Sequence, residues 1–262
     1  VYRLVGDEGA LAMSGTILVT GSASGIGRAL YRDLVDAGYR PIGLDRAAGP
    51  GCDIVCDLAS SEAIARAAEQ IDGPLAAIAH VAGLPGTAPT AAVLAVNLLA
   101  PRQLTDALAG RLAEGASIVA VSSITAARCS LDDAAKDWLL GLGPRELQAE
   151  LSTLDGTLAY EHSKALLNRW MLHEAAAFSS RRIRVNCVSP GPVETPILAD
   201  FRSSMGADRI AAAEALTGRH GRPEEIAQAI FFLLSSRASW VNGVDLKVDG
   251  GFHALRTLAG RG

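Results

Sequence analysis

In the stretch LAYEHSK, residues 158–164, a tyrosine and a lysine stand four positions apart. On a helix, Tyr160 and Lys164 would lie one above the other on the same face, close enough for each to influence the ionisation of the other. The chemistry on offer is proton transfer by a phenol tuned by an ammonium. Taken alone, the spacing also fits a coincidence on a helix whose lysine is merely a solvated surface charge. The chain has only three lysines, Lys136, Lys164 and Lys247, and otherwise takes its positive charge from arginine. A compact, rotatable ammonium can do what a guanidinium cannot.

A second candidate site lies near the start of the chain. Thr20-Gly21-Ser22-Ala23-Ser24-Gly25-Ile26-Gly27 follows the apolar run TILVT and leads into RALYRDLVDAG. Glycine is needed where such a turn leaves a strand, where backbone must approach a pyrophosphate, and where the helix packs on the sheet. The helix start then offers unpaired N–H groups, and the positive end of its dipole, to phosphates. Gly21, Ser24, Gly25, Ile26 and Gly27 are therefore candidate dinucleotide contacts; the competing reading is a tight strand-to-helix turn with no ligand. About 20 residues further on, Asp45 ends an apolar run, where its carboxylate could accept hydrogen bonds from an adenosine ribose and repel a 2'-phosphate. This predicts NAD in preference to NADP. Arg46 beside it works the other way, since a guanidinium can partly accommodate a phosphate, and Asp45 could also be a plain turn cap.

The elements that must position these groups alternate. Short β-branched runs at 16–20, 40–44, 53–56, 75–81, 117–122, 183–189 and 244–248 are separated by helical segments at about 26–37, 61–71, 90–110, 157–178 and 223–236. That alternation predicts βαβ units: a single α/β domain with a Rossmann-type, doubly wound parallel sheet of about seven strands and helices on both faces. A chain of 262 residues, 49% hydrophobic and 20% charged, is the right size for one such domain. The domain is expected over 13–262, with residues 1–12 as an N-terminal extension to which no function is assigned; Asp7 and Glu8 there are incompatible with a secretion signal. A net charge of -4 provides no basic surface for nucleic acid, and no apolar run is long enough to span a bilayer. Cys52, Cys56, Cys129 and Cys187 lack zinc-site spacing and read as buried reduced thiols in a cytoplasmic protein. The five histidines show no metal-ligand spacing, so no metal is expected.

The Gly-x-x-x-Gly-x-Gly spacing of the loop resembles that of the classical short-chain dehydrogenase/reductases, and further motifs follow in that family's order over about residues 15–255. Asp57 and Leu58 resemble the family's position beside the adenine ring. Ala82-Gly83 matches the end of its Asn-Asn-Ala-Gly motif, Asn97 its active-site asparagine, and Ser123 its catalytic serine. Pro190-Gly191 resembles the loop that holds the nicotinamide, with Val193 and Thr195 near the carboxamide. The resemblance implies that Tyr160 is the general acid/base, Ser123 orients the substrate oxygen, and Lys164 holds the nicotinamide ribose and tunes Tyr160. Asn97 either positions a water that links Lys164 to solvent or kinks its helix. Free tyrosine has a pKa of about 10; the lysine and an oxidised nicotinamide are expected to lower it by roughly 1 to 3 units, towards a useful range.

Two departures from the family pattern stand out. Val81 replaces the second asparagine of the motif and removes a side-chain hydrogen bond that braces the central strands. The second is an insertion at about 126–156, between Ser123 and Tyr160, which reads as two helices, 131–140 and 144–153, joined by Gly141-Leu142-Gly143-Pro144. It is expected to wall the substrate pocket and to obstruct the interface by which many members form tetramers, leaving a homodimer or other homo-oligomer. Residues 196–220, with Gly206 and Gly218, read as a lid or as a plain surface helix pair, and His162 is expected to face away from the site. The insertion, LAYEHSK and SPGPVETPIL are together similar to the bacterial 3α-hydroxysteroid dehydrogenase/carbonyl reductases. The expectation is an NAD-dependent interconversion of a secondary alcohol and a ketone, on a hydroxysteroid or another bulky or alicyclic small molecule. The alternatives are a 3-oxoacyl thioester reductase and a non-catalytic cofactor sensor. An enoyl reductase is disfavoured, because its lysine lies farther along the helix from its tyrosine.

Overall fold

The computed structural model of the protein describes residues 15–260; the expected extension over 1–12 and the outer ends of the domain at 13–14 and 261–262 lie outside the described residues. Seven strands, β1 (Thr16–Thr20), β2 (Pro41–Asp45), β3 (Ile54–Val55), β4 (Leu75–His80), β5 (Leu112–Val121), β6 (Arg184–Pro190) and β7 (Asp245–Val248), form one sheet in the order 3-2-1-4-5-6-7. Every pairing is parallel.

The central strands are buried on both faces, so their apolar residues divide by period two. Ile17, Val19, Val119 and Val121 pack against Leu30 and Leu34 of α1 (Gly25–Asp36) and Ile226 and Ile230 of α10 (Pro223–Leu234). Leu18, Ile78, Ile118 and Ala120 point the other way, towards Ile64 of α2 (Ser61–Glu69), Leu104 of α4 (Ala100–Leu108) and Leu166 of α7 (Gly156–Ala177). Each fully buried Leu or Ile of this kind contributes about 1.5–3 kcal/mol relative to exposure. Strand order reverses between β1 and β4, and at such a switch point the carboxyl ends of the strands diverge into a crevice.

The helix expected over 90–110 is three pieces: α3 (Thr90–Leu94), a π-helical turn (Ala95–Leu99), and α4. The insertion does fold as two helices, α5 (Asp133–Gly141) and α6 (Pro144–Glu150). Leu139, Leu147 and Leu151 are buried in the same core as Leu94, Leu98 and Trp170. Arg169 of α7 holds Asp137 through Nε at 2.6 Å, and Arg102 of α4 donates to the Leu140 carbonyl at 2.9 Å. These contacts seat the insertion on the outer flank of α4 and α7. Residues 198–217 form α8 (Leu198–Met205) and α9 (Ala207–Thr217), joined at Gly206 with φ of 93°. A last helix, α11 (Phe252–Leu258), has no counterpart among the expected elements.

Cys56 and Cys187 are buried as expected, whereas Cys52 and Cys129 are only half-buried, because both sit in connections between elements. Among the described residues no helix is long and apolar enough to cross a membrane.

Candidate active site

A cleft of about 640 Å³ runs along the carboxyl edge of the sheet, and all the candidate catalytic and cofactor-binding residues line it except Asn97, which stands just behind. At its β1 end the glycines have steric reasons to be there. Gly21 has φ of 70°, and a Cβ on it would stand 2.8 Å from the Cα of Ala82; a Cβ on Gly27 would stand 2.1 Å from the Gly21 carbonyl oxygen. α1 therefore starts hard against the loop. Its N-cap, Ser24, makes no side-chain capping bond, and no acidic residue occupies the first turn. The orphan N–H groups and the dipole remain open to an anion. At the end of β2, Asp45 accepts from Ala23 N through Oδ2 and from Ala47 N through Oδ1, both at 3.0 Å, so its carboxylate is tied to the glycine loop. These features fit a dinucleotide: a side-chain-free cradle for the pyrophosphate, and a carboxylate with remaining lone pairs for ribose hydroxyls.

Ala82 and Gly83 follow β4. The backbone N–H groups of Val81 and Ala82 both donate to Thr20 Oγ1, at 3.0 and 3.1 Å. Thr20 thus supplies the bracing that Val81 cannot. Asn97 sits in the π-helical turn, 1% exposed, where its side-chain amide clamps Leu84 from both sides: Leu84 N donates to Oδ1 at 2.7 Å, and Nδ2 donates to Leu84 O at 2.9 Å. A π turn inserts one residue into the ladder, and here it aims Asn97 across Gly83 at Lys164. The Cβ position of Gly83 is 3.4 Å from Asn97 Oδ1 and 3.5 Å from Lys164 Nζ.

Ser123 leaves β5 and caps the 3-10 turn Ile124–Arg128. Its Oγ accepts from Thr125 N at 3.2 Å and from Thr125 Oγ1 at 3.0 Å. Both acceptor sites are thereby engaged, and its own proton is left to donate. Tyr160 and Lys164 lie one turn apart on α7, as the spacing predicts, with Lys164 Nζ 5.8 Å from the phenol ring centroid. Both side chains are buried, and Phe201 of α8 covers the Tyr160 ring edge-on at 5.2 Å.

The protein's own side chains move the Tyr160 phenol the other way. Burial pushes the Tyr160 phenol up to about 12, and the Ser123 hydroxyl only partly offsets this. Lys164 does not lower it here. The same burial draws Lys164 down to about 8, and one of its three ammonium N–H groups donates to the Val121 carbonyl at 2.8 Å. In this dry pocket desolvation outweighs the neighbouring charge.

At the far side, Gly191 approaches Asp249 so closely that a Cβ would stand 3.1 Å from the Asp249 Cα, and Val193 bridges to Gly221. Pro190, Gly191, Val193 and Thr195 line the cleft opposite the glycine loop, and the methyl of Thr195 lies 3.3 Å from the Cβ position of Gly25. Asp57 and Leu58 line the cleft just after β3. His162 donates through Nδ1 to Leu158 O at 2.8 Å and does not line the cleft.

The expectation that the insertion walls the pocket holds for Arg128 alone. Neither α5 nor α6 reaches the cleft, because their leucines commit them to the flank. Sequence reasoning also missed Thr20, Thr125 and Phe201. Thr20 carried a signal, as the one polar residue closing an apolar strand; Phe201 carried none.

Proteins of this topology and cleft form a recognised class, and the chain belongs to it: it is a member of the short-chain dehydrogenase/reductase family. It is 32% identical over 243 residues to the coniferyl-alcohol dehydrogenase of Pseudomonas sp. strain HR199, covering 90% of this chain and 95% of that protein. It is 31% identical over 255 residues to the 3-alpha-hydroxysteroid dehydrogenase/carbonyl reductase of Comamonas testosteroni, covering 91% and 96%. The crystal structure of the 3-alpha-hydroxysteroid dehydrogenase from Pseudomonas sp. B-0831, complexed with NADH, matches with a TM-score of 0.82 at 33% identity, over 93% of this chain and 99% of that one. A family profile described as enoyl-(acyl carrier protein) reductase matches residues 147–253. Among solved neighbours, a putative gluconate 5-dehydrogenase from Beutenbergia cavernae carries NADP.

Proposed function

We propose that the chain is an NAD-dependent oxidoreductase interconverting a secondary alcohol and a ketone, with Tyr160 as the general acid/base. The observation that carries this reading is the meeting of Ser123, Tyr160 and Lys164 in the same cleft as the uncapped, glycine-lined start of α1. A bound nicotinamide supplies the hydride acceptor or donor and, when oxidised, a positive charge. Gly21, Ser24, Gly25, Ile26 and Gly27 hold its phosphates, Asp45 its adenosine ribose, Asp57 and Leu58 its adenine, and Pro190, Gly191, Val193 and Thr195 its carboxamide end. Asp45 supports NAD over NADP, with Arg46 as the counterweight.

Tyr160 Oη gives its proton to a ketone oxygen or takes one from an alcohol. A neutral phenol held near 12 suits the donating role; the accepting role needs the further positive charge that an oxidised cofactor adds beside Lys164. Ser123, its acceptor sites engaged by Thr125, donates to the same oxygen. Asn97 fixes Leu84; its place across Gly83 from Lys164 supports the role of positioning a water that links Lys164 to solvent, and its π turn supports the helix-kinking role. α8 and α9 act as a lid hinged at Gly206, and the lid brings Phe201 onto Tyr160 to exclude water.

The apolar walls Ile124, Phe201 and Ile210 and the steroid- and coniferyl-alcohol-acting relatives support a bulky or alicyclic substrate. The enoyl-reductase description of the matched profile is outweighed by the one-turn spacing of Tyr160 and Lys164. The free thiols support a reducing, cytoplasmic setting, and the insertion on the α4–α7 flank supports a homodimer formed through another surface.

The test is nicotinamide reduction with NAD and NADP over hydroxysteroids, alicyclic and aromatic alcohols, and hydroxyacyl thioesters, with Tyr160→Phe as control. Activity on one alcohol class that falls at least ~10²-fold in the variant supports the reading. Turnover undiminished in the variant, or silence on every alcohol with NADH still bound, removes it.

A further inference from the structure

At the substrate end of the cleft one cation has no part in the roles assigned above. Arg128 closes the 3-10 turn that begins at Ser123, lines the cleft, and has a side chain 33% exposed. Among the described residues its single hydrogen bond runs from Nη1 to Glu161 Oε1 at 3.4 Å, and the Glu161 side chain is only 8% exposed. Glu161 follows Tyr160 on α7, so this long contact joins the turn carrying Ser123 to the helix carrying Tyr160. The rest of the guanidinium fork is uncommitted. It lines a cleft whose walls also include the apolar side chains of Ile124, Leu84 and Phe201.

We propose that Arg128 binds a neutral oxygen acceptor on the substrate, a carbonyl or ether oxygen remote from the carbinol carbon. This rests on the alcohol–ketone reading above and narrows its substrate class to cyclic alcohols carrying a second oxygen function. The local charges select a neutral acceptor over an anion. Glu161 cancels Arg128, and Asp200, which also lines the cleft and accepts from Thr87 Oγ1 at 3.3 Å, cancels Lys164, so the cleft walls carry no net positive charge. A carboxylate would lose its hydration there without net attraction. A carbonyl loses little and satisfies donors that an all-carbon substrate would cover and leave unpaired, and that asymmetry is how a site built to hydrogen-bond rejects the analogue lacking the group.

The experiment compares three alcohols matched in skeleton: a 3α-hydroxysteroid with a 17-ketone, its 17-deoxy analogue and its 17-carboxylate, alongside the corresponding monocyclic set. The expected kcat/KM of the native enzyme is about tenfold higher for the ketone than for either companion, with the difference carried by KM. Arg128→Met alone would strand a buried carboxylate, so the informative variant is Arg128→Met/Glu161→Gln. It should abolish the preference while leaving the deoxy compound within about threefold of its native rate. Arg128→Lys should retain part of the preference.

Equal native rates for ketone and deoxy compound, a preference for the carboxylate, or an equal fall for all three in the double variant would each overturn the proposal. The last would assign the Arg128–Glu161 pair a purely positioning role. If the native enzyme turned over no alcohol while still binding NADH, the reaction reading itself would fall, an outcome distinct from all of these.

Discussion

Thr20 offers the sharpest test of how this chain holds its cofactor cradle. Its Oγ1 is the side-chain acceptor for two consecutive backbone N–H groups, those of Val81 and Ala82, at a position only 2% exposed. Thr20→Val keeps the shape and removes the acceptor. Each buried N–H left unpaired costs about 1–3 kcal/mol, so the pair should cost about 2–6 kcal/mol. In a domain of this size a kilocalorie moves the melting temperature by about 2–4 °C, which puts the expected loss between about 4 and 24 °C. Function should suffer as well, because the Ala82 backbone packs against the glycine loop closely enough that even a Cβ on Gly21 would stand 2.8 Å away. Relaxation of residues 81–82 loosens the loop. Urea unfolding at unchanged m-value, with NADH titration by fluorescence, measures both effects, and Thr20→Ser, which keeps the oxygen, is the control. A Thr20→Val variant that loses less than about 1 kcal/mol, or no more than Thr20→Ser, refutes the bracing argument.

Asp45→Ala should weaken NAD binding several-fold and shift the NADP-to-NAD ratio of kcat/KM upwards; an unchanged ratio removes Asp45 from the ribose site. Lys164 is drawn from 10.5 down to about 8, so between those values the unfolded chain holds the proton that the folded chain has released, and the lysine's contribution to stability rises with pH. Lys164→Met should therefore gain on the native protein at pH 7 and lose that advantage by pH 10, a relative swing of about 3 kcal/mol; parallel pH–stability curves would contradict the burial effect. Native mass measurement should show a dimer, and a tetramer would count against the insertion as an obstruction.

Much of this was legible in the sequence, because the signals are local. Each expected strand is present to within a few residues, since β-branched runs bounded by turns report a buried parallel strand directly. The glycine loop was legible for the same reason: its steric demands fall on consecutive residues. β5 is longer than expected because Leu112–Ala116 contains Glu114 and Gly115, which do not read as strand, and because its pairing with β4 shifts register there. The π turn at Asn97 was hidden, since one extra residue hardly disturbs a helical pattern. The least legible features were those decided by distant packing. The helicity of α5 and α6 is in their residues; the choice of the flank over the cleft depends on where Leu139, Leu147 and Leu151 find a core. The upward shift of Tyr160 likewise follows from a burial that includes Phe201, 41 positions away in the chain.

The seating of α5 and α6 has a practical consequence. The helices are anchored through leucines and through Arg169 and Arg102, and the turn between them at Gly141–Gly143 is free of the cleft, with open space around Gly141. Exposed loop tips of this kind are where chains best tolerate added sequence. A reporter peptide or a surface-attachment tag spliced into that turn would ride on the outside of the molecule. Immobilised there, the enzyme would be held by a turn that lines no part of its cleft.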